Sequence, residues 1–127
     1  MADCAELTNC PFCDRKDAIV RNEHAYLVYD LNPVTRGHLL VVTNRHVADF
    51  FATTWVEREA MLKLADEAKR LLDGRHAPSG YNIGVNIGAA AGQTIMHVHL
   101  HVIPRYPGDT PNPRGGVRGV IPGKQSY

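Results

Sequence analysis

His97, His99 and His101 alternate with Val98, Leu100 and Val102 in one run that ends at Ile103-Pro104. Successive side chains of a β-strand point to opposite faces, so this order places three imidazoles on one face and three aliphatic side chains on the other. The aliphatic face can bury in a core, and a strand anchored that way holds the imidazoles rigidly at the edge of a pocket. Two chemistries suit such a row. One is a metal site. Same-face neighbours on a strand lie roughly 6.5–7 Å apart, and the outer pair roughly 13 Å apart. Zinc binds nitrogen at about 2.0–2.1 Å, so one ion can hold two adjacent histidines but hardly three. The other chemistry is covalent catalysis, in which one imidazole attacks while its neighbours fix its tautomer and the substrate. An imidazole is largely neutral near pH 7 and keeps one ring nitrogen free when the other is hydrogen-bonded. The two are compatible if an end histidine goes to the metal.

The 127 residues suffice for a single domain, 1–127, with a real core. A formal charge of +1 argues against a dedicated nucleic-acid binder and against a polybasic membrane anchor. No segment approaches the roughly 18–20 consecutive apolar residues that span a bilayer. Met1-Ala2-Asp3-Cys4 leads into polar sequence, without the pattern of a signal peptide. Cys4, Cys10 and Cys13 are an odd number at one end of the chain, which is no disulfide framework; it predicts reduced thiols and a cytoplasmic location.

Hydrophobic periodicity predicts short strands at residues 19–22 and 25–29, a buried strand at 38–43, and further strands at 81–87 and 96–103. Asp30 to Gly37 is rich in turn formers and reads as a loop, and 44–51 as a short helical turn. Thr54-Trp55-Val56-Glu57 is a capping box that opens one long helix, with Gly74 as its stop. Met61, Leu64, Ala65, Ala68 and Leu72 form its buried stripe, and Trp55 with Phe50-Phe51 is also expected in the core. Residues 106–127 are rich in Pro and Gly and poor in large apolar side chains, an arm and not core. Hairpin-length gaps between five strands, with one long and one short helix, predict an α+β domain built on a five-stranded antiparallel sheet.

Gly92-Gln93-Thr94-Ile95-Met96, leading into the histidine run, resembles the signature of the histidine triad (HIT) superfamily of nucleotide hydrolases and transferases. Asp30-Leu31-Asn32-Pro33, then Gly37-His38-Leu39-Leu40-Val41-Val42 and Arg45-His46, extend the likeness in the expected order over roughly residues 10–105. It is strongest to the small branch of diadenosine polyphosphate hydrolases and nucleoside phosphoramidases. The resemblance implies that His99 is the nucleophile, forming a nucleotidyl-histidine at the α-phosphate that water then hydrolyses. It implies that His101 stands near the leaving oxygen, where it can place or donate a proton, and that His38 supports the triad from the neighbouring strand. Gln93, Thr94 and Asn86 match residues that hold the phosphate, and Asp30 a residue that accepts from the ribose hydroxyls. Homodimers are usual among such proteins and are expected here; no organic cofactor is implied. No carboxylate cluster suggests protein-bound magnesium.

Cys10-Pro11-Phe12-Cys13 has the spacing of half a zinc knuckle and needs two more ligands. Part of the superfamily, including galactose-1-phosphate uridylyltransferase, carries a similar pair. That resemblance implies Cys10, Cys13, His46 and His97 as a structural Zn2+ site that leaves His99 free. The rival reading is a redox Cys-x-x-Cys, which requires a preceding buried strand in a βαβ unit; Glu6-Leu7-Thr8-Asn9 is polar and too short for one. Arg105 and, in the arm, Arg114, Arg118 and Lys124 are candidates to reach a polyphosphate or the other subunit's site, and Tyr106 and Tyr127 are the arm's only aromatic residues. The expected activity is cleavage of nucleoside polyphosphates of the diadenosine type. The alternatives are phosphoramidase action on P–N linked adenylates, phosphorolysis, and a low-turnover nucleotide-binding module.

Overall fold

The computed structural model describes residues 9–127, so the expectations for residues 1–4, Cys4 included, lie outside it. Five strands form one sheet: β1 (Val20–Arg21), β2 (Ala25–Tyr29), β3 (Leu39–Thr43), β4 (Gly80–Gly84) and β5 (His99–Arg105). All pairings are antiparallel, in the order β1-β2-β3-β5-β4, so the histidine strand is an inner one. The expected α+β architecture is present. Its long helix is α1 (Trp55–His76); the expected short helix over 44–51 is only a 3-10 turn, Phe50–Ala52. The preceding segment is engaged elsewhere, because the Val47 carbonyl accepts from the Val98 N–H at 2.7 Å and His46 turns toward Cys13.

One face of the sheet is core. Ala25, Leu27, Leu39, Val41, Val98, Leu100 and Val102 pack there against Ala60, Met61, Leu64, Ala68 and Leu72 of α1. On the other face Tyr26, Leu40 and Val42 form a smaller cluster with Phe12, Ala18 and Val28. The alternation read from the sequence therefore holds: aliphatic residues face the helix and imidazoles face away from it.

Strand ends differ from expectation for local reasons. β5 begins at His99 instead of Met96, since the Val98 amide bonds to Val47 and not to a sheet neighbour. It also runs past Ile103 through Pro104. The Pro104 carbonyl points to the β3 side and accepts from the Thr35 hydroxyl at 2.6 Å, and β3 has already ended opposite Val102. The missing N–H of Pro104 thus faces a place where the ladder has no acceptor for it.

Helix α1 opens with the expected capping box: the Thr54 side chain accepts from the Glu57 N–H, and Glu57 accepts from the Thr54 N–H. Glu57 is 4% exposed and also binds Arg45 through both carboxylate oxygens, at 2.8 and 3.0 Å. Glu57→Ala is expected to destabilise the fold by about 1–2 kcal/mol, since it removes the box and the ion pair with the partly exposed Arg45. A lower urea midpoint at unchanged m would check this.

The helix does not stop at Gly74. It continues to His76, and Ala77 takes the left-handed conformation with φ 46° before Pro78, which disfavours a helical residue ahead of it. The extra turn has a packing partner in Gly37, where a Cβ would lie 2.8 Å from Leu72 and 2.9 Å from His76. Trp55 and Phe51 are not core residues; they are 79% and 71% exposed. Trp55 is the first residue of α1, outside the buried stripe, and its ring stacks under the Arg58 guanidinium at 4.5 Å. Phe50 does pack against the core.

Candidate active site and metal centre

Register decides what stands beside the imidazoles. Tyr26 pairs with Val42 and Val42 with His99, while Val28 pairs with Leu40 and Leu40 with His101. The two histidines are therefore the next steps of two apolar cross-strand rows. Phe12 comes over the first row, its ring 4.9 Å from His99, and its carbonyl accepts from the Tyr26 hydroxyl at 2.6 Å. Sequence reasoning missed this contact, although Phe12 sits between the two cysteines.

Main-chain groups fix the tautomers of His99 and His38, and His38 in turn fixes that of His101. His99 Nδ1 lies 2.8 Å from the His97 carbonyl oxygen, which can only accept, so Nδ1 carries the proton and Nε2 keeps its lone pair. His38 is the reverse. Its Nδ1 accepts from the Val34 N–H at 3.1 Å, so its proton is on Nε2, 2.9 Å from His101 Nδ1. His101 Nδ1 must then accept, and its Nε2 carries a hydrogen. Burial holds both rings in the neutral form. It lowers the His38 pKa against the opposing pull of Asp30, and it lowers that of His101, helped by His99, to about 4. One nitrogen with a free lone pair and one N–H donor thus stand on neighbouring same-face positions, with ring centroids 5.2 Å apart.

Asp30 lies just beyond β2. Its Oδ1 accepts from the Asn32 N–H at 2.8 Å, and its Oδ2 is 3.5 Å from His38 Nε2. Asp30, His38 and His101 are close enough together to surround a cation. Their hydrogen bonding speaks against one. A lone pair on His38 Nε2 would move its proton to Nδ1, where it would face the Val34 N–H donor to donor.

The other cluster passes the same test. Ligand atoms of Cys10, Cys13, His46 and His97 all lie within 4.8 Å of one another. His97 is fully buried and its Nε2 donates to the Thr43 carbonyl at 2.7 Å, leaving the Nδ1 lone pair toward Cys10 Sγ at 3.3 Å and Cys13 Sγ at 3.7 Å. His46 Nδ1 is 3.5 Å from Cys13 Sγ. These separations match the edges of a zinc tetrahedron, about 3.5 Å for mixed sulfur and nitrogen ligands. The expectation of uniformly reduced cysteines is not met, because Cys13 is disulfide-bonded; Cys10 is a thiol. Cys13 can join a metal centre only once reduced.

The expected phosphate contacts fall into two groups. Asn86 is half-buried and Thr94 exposed, and neither side chain is hydrogen-bonded among the described residues. Gln93 is 5% exposed and fully engaged. Its Oε1 accepts from the Gly88 N–H at 2.8 Å, and its Nε2 donates to the Ala48 and Ile95 carbonyls at 2.8 and 3.2 Å. It staples the 88–95 loop to the segment that carries His46. Three of the four cations considered for a polyphosphate have partners: Arg105 bonds Asp109 and Asn82, and Arg114 and Arg118 flank the Tyr127 ring. Tyr106 donates to the Arg36 carbonyl at 2.8 Å.

The HIT domain family matches residues 14–108. A 16.1 kDa HIT-like protein of Mycoplasma pneumoniae is 38% identical over 104 residues, 77% of this chain and 72% of that protein. An AP-4-A phosphorylase of Mycobacterium tuberculosis is 35% identical over 92 residues, 72% of this chain but 47% of the phosphorylase. The structure of a Zn-bound histidine triad family protein from Mycobacterium smegmatis superposes with a TM-score of 0.73 at 32% identity, covering 82% of this chain and 80% of that one.

Proposed function

The chain belongs to the HIT domain family, and on that premise we propose that it cleaves nucleoside polyphosphates of the diadenosine type at the α-phosphate, through a nucleotidyl adduct on His99. The observation that carries this reading is the pair of opposed tautomers: His99 offers a lone pair at Nε2 while His101 offers an N–H. The His99 lone pair attacks phosphorus, and the bond to the leaving oxygen breaks with its electron pair. The His101 N–H stabilises the charge that develops on that oxygen. Because His99 Nδ1 keeps its proton on the His97 carbonyl, the adduct is a cationic imidazolium and leaves readily when water attacks. Release of the nucleoside monophosphate restores His99.

Around this centre, Asp30 would take the ribose hydroxyls, and Asn86 and Thr94 the phosphate oxygens. Gln93 would act on the phosphate indirectly, by holding the 88–95 loop. His38 would act through His101. Rapid-quench trapping with labelled dinucleotide tests the scheme: an acid-labile adduct on His99 is expected during turnover, and its absence would refute it. The likeness to a phosphorylase favours a second reading, in which inorganic phosphate replaces water and the product is a nucleoside diphosphate in place of the monophosphate.

We further infer that Cys10, Cys13, His46 and His97 hold a structural zinc ion in the reduced protein, a reading supported by their spacing and by the Zn-bound relative. The ion would tie the 10–13 segment to the start of β5. A homodimer is part of the proposal. Among the described residues the outer edge of β4 has no strand partner, and Ile83 on it is half-exposed. Cytoplasmic location is proposed as well; no helix among the described residues is long and apolar enough to cross a membrane.

A further inference from the structure

The loop from Asp30 to His38 is bound to the far end of β5 by two side chains that no catalytic role explains. Thr35 donates to the Pro104 carbonyl at 2.6 Å, and Tyr106 donates to the Arg36 carbonyl at 2.8 Å while its ring lies 4.2 Å from the Arg36 guanidinium. Between Asp30 and these ties sits Val34. Its side chain is exposed, but its N–H meets His38 Nδ1. The chain of donors is continuous: Val34 N–H to His38, His38 Nε2–H to His101, and His101 Nε2–H outward.

Two neutral imidazoles in contact have two arrangements of nearly equal intrinsic energy, related by reversing every proton. In the reversed one, His38 accepts at Nε2, His101 donates from Nδ1, and His101 Nε2 presents a lone pair. A lone pair there would repel the developing charge on the leaving oxygen. Only a group outside the pair can choose between the arrangements. Two such groups meet His38: the Val34 amide donates to Nδ1, and the Asp30 carboxylate, 3.5 Å from Nε2, adds its preference for a hydrogen on that nitrogen.

We propose that the Val34 amide, held in place by Thr35, sets the direction of the His38–His101 hydrogen bond and so makes His101 a donor toward the leaving group. Thr35 is thereby a positioning residue for leaving-group departure. The inference rests on the proposed reaction for its consequence, but not for its hydrogen-bond assignment. Loss of the Thr35 hydroxyl frees the loop from Pro104, moves the Val34 amide from His38, and lets the reversed arrangement populate.

The test compares wild type, Thr35→Val, Thr35→Ser and the control Val34→Ala. Imidazole 15N shifts read the tautomers, and rates are taken over adenylate esters of graded leaving-group basicity. Wild type should show a bare Nδ1 and a protonated Nε2 on both His38 and His101. Thr35→Val should shift these signals toward the other tautomer. It should also lower kcat about tenfold for the most basic leaving group while changing the most acidic one less than about twofold. Thr35→Ser and Val34→Ala should resemble wild type in both. Thr35→Val with wild-type ring signals, or with an unchanged dependence on leaving-group basicity, would overturn the proposal, as would a protonated His38 Nδ1 in wild type. A missing His99 adduct alongside the expected ring signals would instead refute the proposed reaction, so the two failures are distinct.

Discussion

His99→Ala is expected to lower kcat/KM for dinucleoside polyphosphate by about 10⁴- to 10⁶-fold, the range found when a covalent nucleophile is removed. The basis is local. His99 Nδ1 is tied to the His97 carbonyl, and the free nitrogen beside it is the nucleophile of the proposed step. Affinity for adenosine monophosphate should change little, because the ribose and phosphate contacts assigned to Asp30, Asn86 and Thr94 come from other segments. Since alanine also removes the face on which Phe12 packs, the fold must be checked by its thermal midpoint. A folded His99→Ala protein with wild-type turnover would end the covalent scheme.

The second large effect concerns the metal. Reduced protein is expected to hold one zinc ion per chain, and its removal by a chelator should lower the thermal midpoint by about 10 °C, equivalent to about 3 kcal/mol for a chain of this size. Among the described residues, the segment 10–13 is also attached by a Cys13 N–H to Cys10 carbonyl turn, by the Phe12 ring, and by the Tyr26 hydroxyl on the Phe12 carbonyl. Without the ion, the inward nitrogen of buried His97 would exchange a metal bond for weak contacts with the Cys10 and Cys13 sulfurs, at 3.3 and 3.7 Å. Cys10→Ser should bind zinc more weakly and lose most of the same stability. Reduced protein free of zinc by elemental analysis, with no change in midpoint on adding the ion, would exclude the centre.

Much of this molecule was readable in the chain because two periodicities are so clean. Alternation in the histidine run placed Val98, Leu100 and Val102 in the core, and the stripe from Met61 to Leu72 identified the face of α1 that covers them. That Cys10, Cys13, His46 and His97 come together was legible by another route, from the Cys-x-x-Cys spacing and the family likeness. What stayed hidden depends on main-chain atoms, which sequence patterns do not display. Carbonyls of His97 and Thr43 and the amide of Val34 fix three tautomers, and none needs a particular side chain at its own position. The bonds that Gln93 makes within the chain were hidden for a related reason, since its three partners are all main-chain groups in loops. Trp55 misled because a large aromatic suggests burial, whereas its place at the first turn of α1 leaves it outside the packed stripe.

The strict in–out order of β5 has a consequence for how the chain can vary. Its two faces do unrelated jobs, one packed on α1 and the other bearing His99 and His101. Adding or deleting a single residue between His97 and Val102 would exchange those faces, forcing imidazoles into hydrocarbon and aliphatics into water. Length changes are therefore all-or-none lesions in this strand, and tolerated insertions should collect in loops or in the arm beyond Arg105.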